Sequence, residues 1–184
     1  MIAKYTKTAV ILHWLIAVLI IANVALAWIW PTVADDQVRP LVGAHKSIGV
    51  TVLGLVIMRI LWRLTHRPPA LPGSHLHWER MLSGIVHAAL YAVMLIMPLS
   101  GWIMDSSRKS SAENPLQWFG LFDWPRFPFL QNADPASLEG FRDAAGAAHG
   151  LAAYALYALV FLHIAGALKH QFLDRKPELQ RMWG

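Results

Sequence analysis

Residues 144–168 read AAGAAHGLAAYALYALVFLHIAGAL, a run without a charge that holds two histidines, His149 and His163. A helix needs about 20 apolar residues to cross the hydrocarbon core of a bilayer, so this stretch is long enough to span one. At about 1.5 Å rise and 100° per residue, the step from His149 to His163 carries roughly 21 Å along the axis and returns to within about 40° of one face. One helix therefore offers two imidazoles on one side, one near each membrane surface. Polar side chains at bilayer depth are costly and mark functional sites by default.

Three further stretches are of similar length. Ala9–Trp30 and Met81–Met104 carry no charge, and Leu41–Trp62 holds Lys46 and Arg59. The composition agrees: 56% of residues are hydrophobic, 15% are charged, and the mean hydropathy is +0.41, where a soluble domain carries about 25% charged residues. Backbone groups in hydrocarbon must be satisfied internally, which favours helices, and no alternating pattern of the β-barrel kind is present. The expected fold is all-α, an integral membrane four-helix bundle. Its helices are expected near 9–30, 41–63, 79–104 and 141–172, in one domain over 1–184. Lys4, Lys7 and Ala25-Leu26-Ala27 imitate a signal peptide. The apolar run continues through Trp28, Ile29 and Trp30, so an uncleaved first helix is expected.

Four spans place both termini on one side. Of the 16 basic residues, ten fall on the side of the termini and six on the other, while eight of the 11 acids fall opposite the termini. The positive-inside rule makes the termini of this multi-pass chain cytoplasmic. The net charge of +5 reads as this topology signal rather than as a nucleic-acid footprint. The chain has no cysteine, which excludes disulfides, iron–sulfur clusters, thiolate zinc sites and C-x-x-C-H haem attachment. A Pro-rich connector, Thr65 to Gly73, should join helices 2 and 3. The aromatic stretch Pro115 to Pro125 is expected either at the membrane interface or packed on the bundle.

Depth pairs the histidines. Helix 1 starts inside, so His13 lies near the cytoplasmic surface with His163; helix 2 starts outside, so His45 lies near the periplasmic surface with His149. Two bis-imidazole pairs in a four-helix bundle suit two six-coordinate haems with both axial positions filled. Such iron has no open site, which implies outer-sphere electron transfer and no separate catalytic residue. Zinc fits less well, since it wants three or four ligands on one ion. Gly49, Gly146, Gly166, Ala9 and Ala17 flank the four histidines at helical spacing, leaving room for a porphyrin or for close helix packing.

Other polar residues have looser readings. His87 in helix 3 lacks a depth-matched partner and reads as a hydrogen-bonded core histidine or as a proton or quinone group. His170 follows His163 two turns later on nearly the same face, where an imidazole can bond a quinone carbonyl and relay a proton. Arg59 and Arg63 share a face of helix 2, either to pair with haem propionates or to snorkel. Lys46, beside His45, is a candidate for propionate binding or for attracting an anion. His66, His75 and His77 in the inner loop have no assigned role.

These residues, in this order, resemble the bacterial dihaem cytochrome b561 proteins, small four-helix membrane cytochromes. The resemblance is carried by Tyr5, Ile11-Leu12-His13-Trp14-Leu15, Arg39-Pro40 before His45, and Arg59-Ile60-Leu61-Trp62-Arg63-Leu64. It continues through His87, Asn114-Pro115, Trp118-Phe119-Gly120, and His149, His163 and His170. It implies that two haem b groups are ligated by His13 with His163 and by His45 with His149. It also implies superoxide oxidase-like activity, with electrons passing from periplasmic superoxide, or another one-electron donor, to ubiquinone near His170. The inner loop adds His75 and His77, and the outer loop is longer and more aromatic than in that family. If the donor is superoxide, Arg39, Lys46 and Arg142 would steer it, against the eight acids on that side. Three alternatives stand beside this: a cytochrome b subunit exchanging electrons between the quinone pool and a protein partner, a haem-free transporter or structural membrane protein, and flow in the opposite direction.

Overall fold

The computed structural model describes residues 4–69, 76–108 and 115–183. Four long helices carry the chain: α1 (Lys7–Ile29), α2 (Asp35–Thr65), α3 (His77–Ser106) and α5 (Pro135–Leu168). A short helix, α4 (Pro128–Gln131), precedes α5, and a π turn (Lys169–Leu173) follows it. Among the described residues, these four helices are long and apolar enough to cross a membrane. Their outward faces carry Ile11, Val18, Ile21, Trp28, Leu61, Leu151 and Phe161 exposed. Such a belt suits lipid and would be a liability in water.

The helix ends differ from the hydropathy reading for local reasons. α2 begins at Asp35, ahead of its apolar run, because Asp35 and Asp36 favour the positive N-terminal end of the helix dipole. Pro40 stands in the second turn. There only the exposed Asp36 carbonyl loses its partner. α5 begins at Pro135 because Asp134 accepts the N–H groups of Ala136 and Ser137, with proline at the first helical position. Thr6 caps α1 in the same manner. Of the Pro-rich connector, Arg67–Pro69 have no regular structure, and residues 70–73, like His75, lie outside the described residues.

α1 packs on α2, α2 on α3, and α3 on α5. α5 makes few close backbone approaches to α1 and α2, so that side of the bundle is left to long side chains. The buried core is a band of Ile16, Val52, Val56, Val93, Ala152 and Leu156. On each helix these residues fall between the polar positions near its two ends. The bundle thus has a dry middle with a polar level above and below it.

The aromatic stretch packs on the bundle through a small hairpin. β1 (Gln117–Trp118) pairs antiparallel with β2 (Phe122–Asp123). Phe119 at φ 50° and Gly120 at φ 72° make the turn; two successive residues with positive φ match the twist of a tight hairpin. The Trp118 indole N–H donates to Thr51 Oγ1 and the Phe119 N–H to Ser47 Oγ. Leu116 is buried, while Phe119, Leu121 and Phe122 remain exposed.

Candidate functional site

The structure brings the four depth-matched histidines together in the expected pairs. At the end of the bundle that carries the hairpin, the loop end, His45 and His149 have ring centroids 6.3 Å apart with planes at 66°. At the end that carries the termini, His13 and His163 are 6.0 Å apart at 77°. Each pair joins α5 to α1 or α2, across the side where the backbones stand apart. An imidazole–metal bond is about 2.0 Å and the ring centre lies about 1.1 Å further, so two such rings in line on one metal have centres about 6 Å apart. Both pairs have this spacing.

Hydrogen bonds fix the loop-level rings. His45 Nδ1 is 3.1 Å from the Asn23 carbonyl. His149 Nδ1 is 2.9 Å from the Met97 carbonyl and 3.1 Å from Ser100 Oγ. A carbonyl only accepts, so each Nδ1 carries the hydrogen and each Nε2 keeps its lone pair. Metal-bound histidines have this second-sphere arrangement. A cavity of about 220 Å³ opens here, lined in part by Asn23, Trp30, His45, Gly49, Gly101 and His149. A Cβ on Gly101 would fall 3.3 Å from His149 Cε1. That glycine makes room for the ring, a role the sequence reading missed. Gly49 and Gly146 would meet their nearest atoms at an ordinary 3.8 Å, and Gly166 has nothing within 4 Å, so close helix packing is not what these three serve.

The terminal level is built differently. Among the described residues, neither His13 nor His163 makes a ring hydrogen bond; they are held by ring contacts. Trp14 lies 5.3 Å from His13, and His87 lies 5.2 Å from His163. His87 is hydrogen-bonded as a core histidine would be, its Nδ1 3.3 Å from Ser83 Oγ. Its proximity to His163 was not visible from depth alone. Arg59 donates to the Ala9 carbonyl, one turn before His13, at 2.7 Å and to the Tyr91 hydroxyl at 3.1 Å. Arg63 stands 5.8 Å over the Tyr91 ring.

Two ion clusters close the ends. At the loop end, Lys46 Nζ is 2.6 Å from Asp105 Oδ1, and Arg126 Nε and a terminal nitrogen bond Asp105 Oδ2 at 3.0 and 2.9 Å. Lys46 and Asp105 both line the cavity. Asp105 and Arg126 were not singled out from sequence; the signal available was a carboxylate directly after a span. Arg142, one of the steering candidates, lies 3.6 Å from both Glu139 and Asp143. At the terminal end, His170 Nδ1 is 2.7 Å from Asp174 Oδ2, and Lys169 Nζ bridges Glu79 and Asp174 at 2.7 and 2.8 Å. Lys169 and His170 hold the Asp174 carboxyl below the usual carboxylate range. Glu79, His170 and Asp174 lie close enough together to share a cation, and the Lys169 ammonium bonds the two carboxylates of that group.

A four-helix membrane bundle with imidazoles facing one another at two depths is the frame of a membrane cytochrome. The chain belongs to the prokaryotic cytochrome b561 family, whose model matches residues 4–184. It is 30% identical over 183 residues to "Cytochrome b561 homolog 2" of Escherichia coli (strain K12), covering 98% of this chain and 92% of that protein. It is 27% identical over 188 residues to "Probable superoxide oxidase CybB" of Yersinia pestis, covering 97% and 95%. The protein is a multi-pass membrane protein of an electron-transfer family, and the family implies binding of haem b.

Proposed function

We propose that His13 with His163, and His45 with His149, each hold one haem b, and that the protein carries single electrons across a bacterial inner membrane from superoxide to ubiquinone, with both termini cytoplasmic. The observation that carries this is the pair of ring separations, 6.3 and 6.0 Å, at two levels of one bundle. When bound, the haems supply reversible one-electron chemistry without an open coordination site. The protein's own residues do the rest. The Asn23 and Met97 carbonyls orient His45 and His149, and the apolar band at Ile16, Val52, Val56 and Val93 keeps water out between the levels.

Each superoxide loses one electron and leaves as dioxygen; one quinone takes up two electrons and two protons. Lys46, which lines the cavity, and Arg126 gather on Asp105 at the loop end, and cations at this mouth support an anionic donor. The name carried by the Yersinia pestis relative, "Probable superoxide oxidase CybB", supports the same donor. His170, held by Asp174, is the group we place beside the quinone carbonyl.

The test is the visible reduced-minus-oxidised spectrum of the detergent-purified protein with haem counted per chain. Two low-spin b haems are expected; a colourless chain overturns the proposal. Superoxide added to quinone-loaded protein should reduce the haems above a dismutase-treated control. Absence of that reduction removes the donor and leaves the electron carrier.

A further inference from the structure

Both pairs use the same side chain at nearly the same separation, yet their surroundings are opposite. At the loop level each imidazole donates its Nδ1–H to a backbone carbonyl, His45 to Asn23 and His149 to Met97. Such donation makes Nε2 a stronger base and favours the oxidised form of whatever metal it binds. At the terminal level neither ring has this support. In its place stands Arg59, whose described hydrogen-bond partners, the Ala9 carbonyl and the Tyr91 hydroxyl, are both neutral. A cation without a carboxylate partner at this depth favours an added electron nearby. At the loop level the nearest cation is Lys46, and Asp105 sits on it at 2.6 Å. Arg126 bonds the same carboxylate through its other oxygen, Oδ2.

We infer that the loop-level pair is set to a lower reduction potential than the terminal-level pair, and that Arg59 tunes the terminal one. This rests on the two-haem reading above. An electron entering at the loop end then moves downhill to the level of His13 and His163, and a group at the terminal end receives it there. Arg59 is a tuning residue acting through the site and not a ligand.

The experiment is a potentiometric titration of the full-length haem-loaded protein, followed in the α band. His45→Ala and His13→Ala assign the two components by removing one each. The loop-level component should titrate lower by at least about tenfold in the reduction equilibrium, about 59 mV for a one-electron couple. Arg59→Gln should lower the terminal component about tenfold and leave the loop component in place, while Arg59→Lys keeps most of the difference. Gly101→Ala, whose Cβ presses on His149, should loosen the bond to Met97 and raise only the loop component.

A single shared potential, or a loop component above the terminal one, overturns the inference while leaving two haems intact. So does Arg59→Gln moving both components together. Where Arg59→Gln does not fold, the wild-type order and the Gly101→Ala shift still decide. Loss of the α band in the wild-type protein would instead defeat the parent reading.

Discussion

The two imidazole levels of this bundle differ in what holds them. At the loop end, α1 and α3 each lend a carbonyl, Gly101 leaves space for a ring, and a hairpin and an ion cluster cover the cavity. At the terminal end the rings of His13, His163 and His87 lean on one another without hydrogen bonds to the first two. Equal spacing thus arises by two routes. One is preorganised by backbone polar groups that must be satisfied in any case. The other depends on packing and should be the more easily displaced. Damage to single residues should therefore stay confined to its own level.

The largest effect is expected from the four proposed ligands. His45→Ala or His149→Ala should remove one of two b-type components, and His13→Ala or His163→Ala the other. His87→Ala should keep both, with a perturbed terminal component. Spectra and haem counts on the five variants test the separation. A variant of any one of the four proposed ligands that keeps both components defeats that residue's assignment, and loss of a component in His87→Ala would make His87 a rival ligand.

The pairing was readable in the sequence because depth is arithmetic. Each span is long enough to cross, the chain direction alternates, and the unbroken helical run between His149 and His163 fixes both their rise and their azimuth. The azimuth of a lone histidine has no such check, so His87 could be given a depth but not a neighbour. The carbonyls of Asn23 and Met97 have no side-chain signature at all. The Asp105–Arg126 contact joins the two ends of a long loop, and nothing local specifies that closure. The early start of α2 was missed because hydropathy reports the membrane, whereas the Asp35-Asp36 turn is a helix outside it.

The ion cluster tests how far the loop level depends on its cover. Asp105→Asn would take away the carboxylate that Lys46 and Arg126 share. Removing one partner of a buried pair costs about 3 kcal/mol. Denaturation in detergent should show that loss, and the loop-level component should bleach first. Simultaneous loss of both components would mean that the levels are not independent. A smaller effect follows from Ser47→Ala, which removes a buried acceptor for the Phe119 N–H, at about 1 kcal/mol. Faster proteolysis within 115–127 at unchanged haem content is the expected reading.

The smallest effect lies beyond the terminal level, where His170 and Asp174 stand. Lys169 and His170 depress the Asp174 carboxyl in the folded protein, and the same Lys169 binds Glu79. A group whose folded pKa is depressed stabilises the fold above its unfolded value, about 3.9 for aspartate, and loses that contribution as pH falls through the folded value. The melting temperature should therefore gain no pH dependence from Asp174 between about pH 8 and 5, then show an acid limb below about pH 4. Asp174→Asn should flatten that limb and leave the loop-level component untouched. The contact is partly open to water and its worth is small, so the shape of the curve and not its height carries the test. An acid limb identical in both proteins would mean that the π turn keeps its position without this carboxylate.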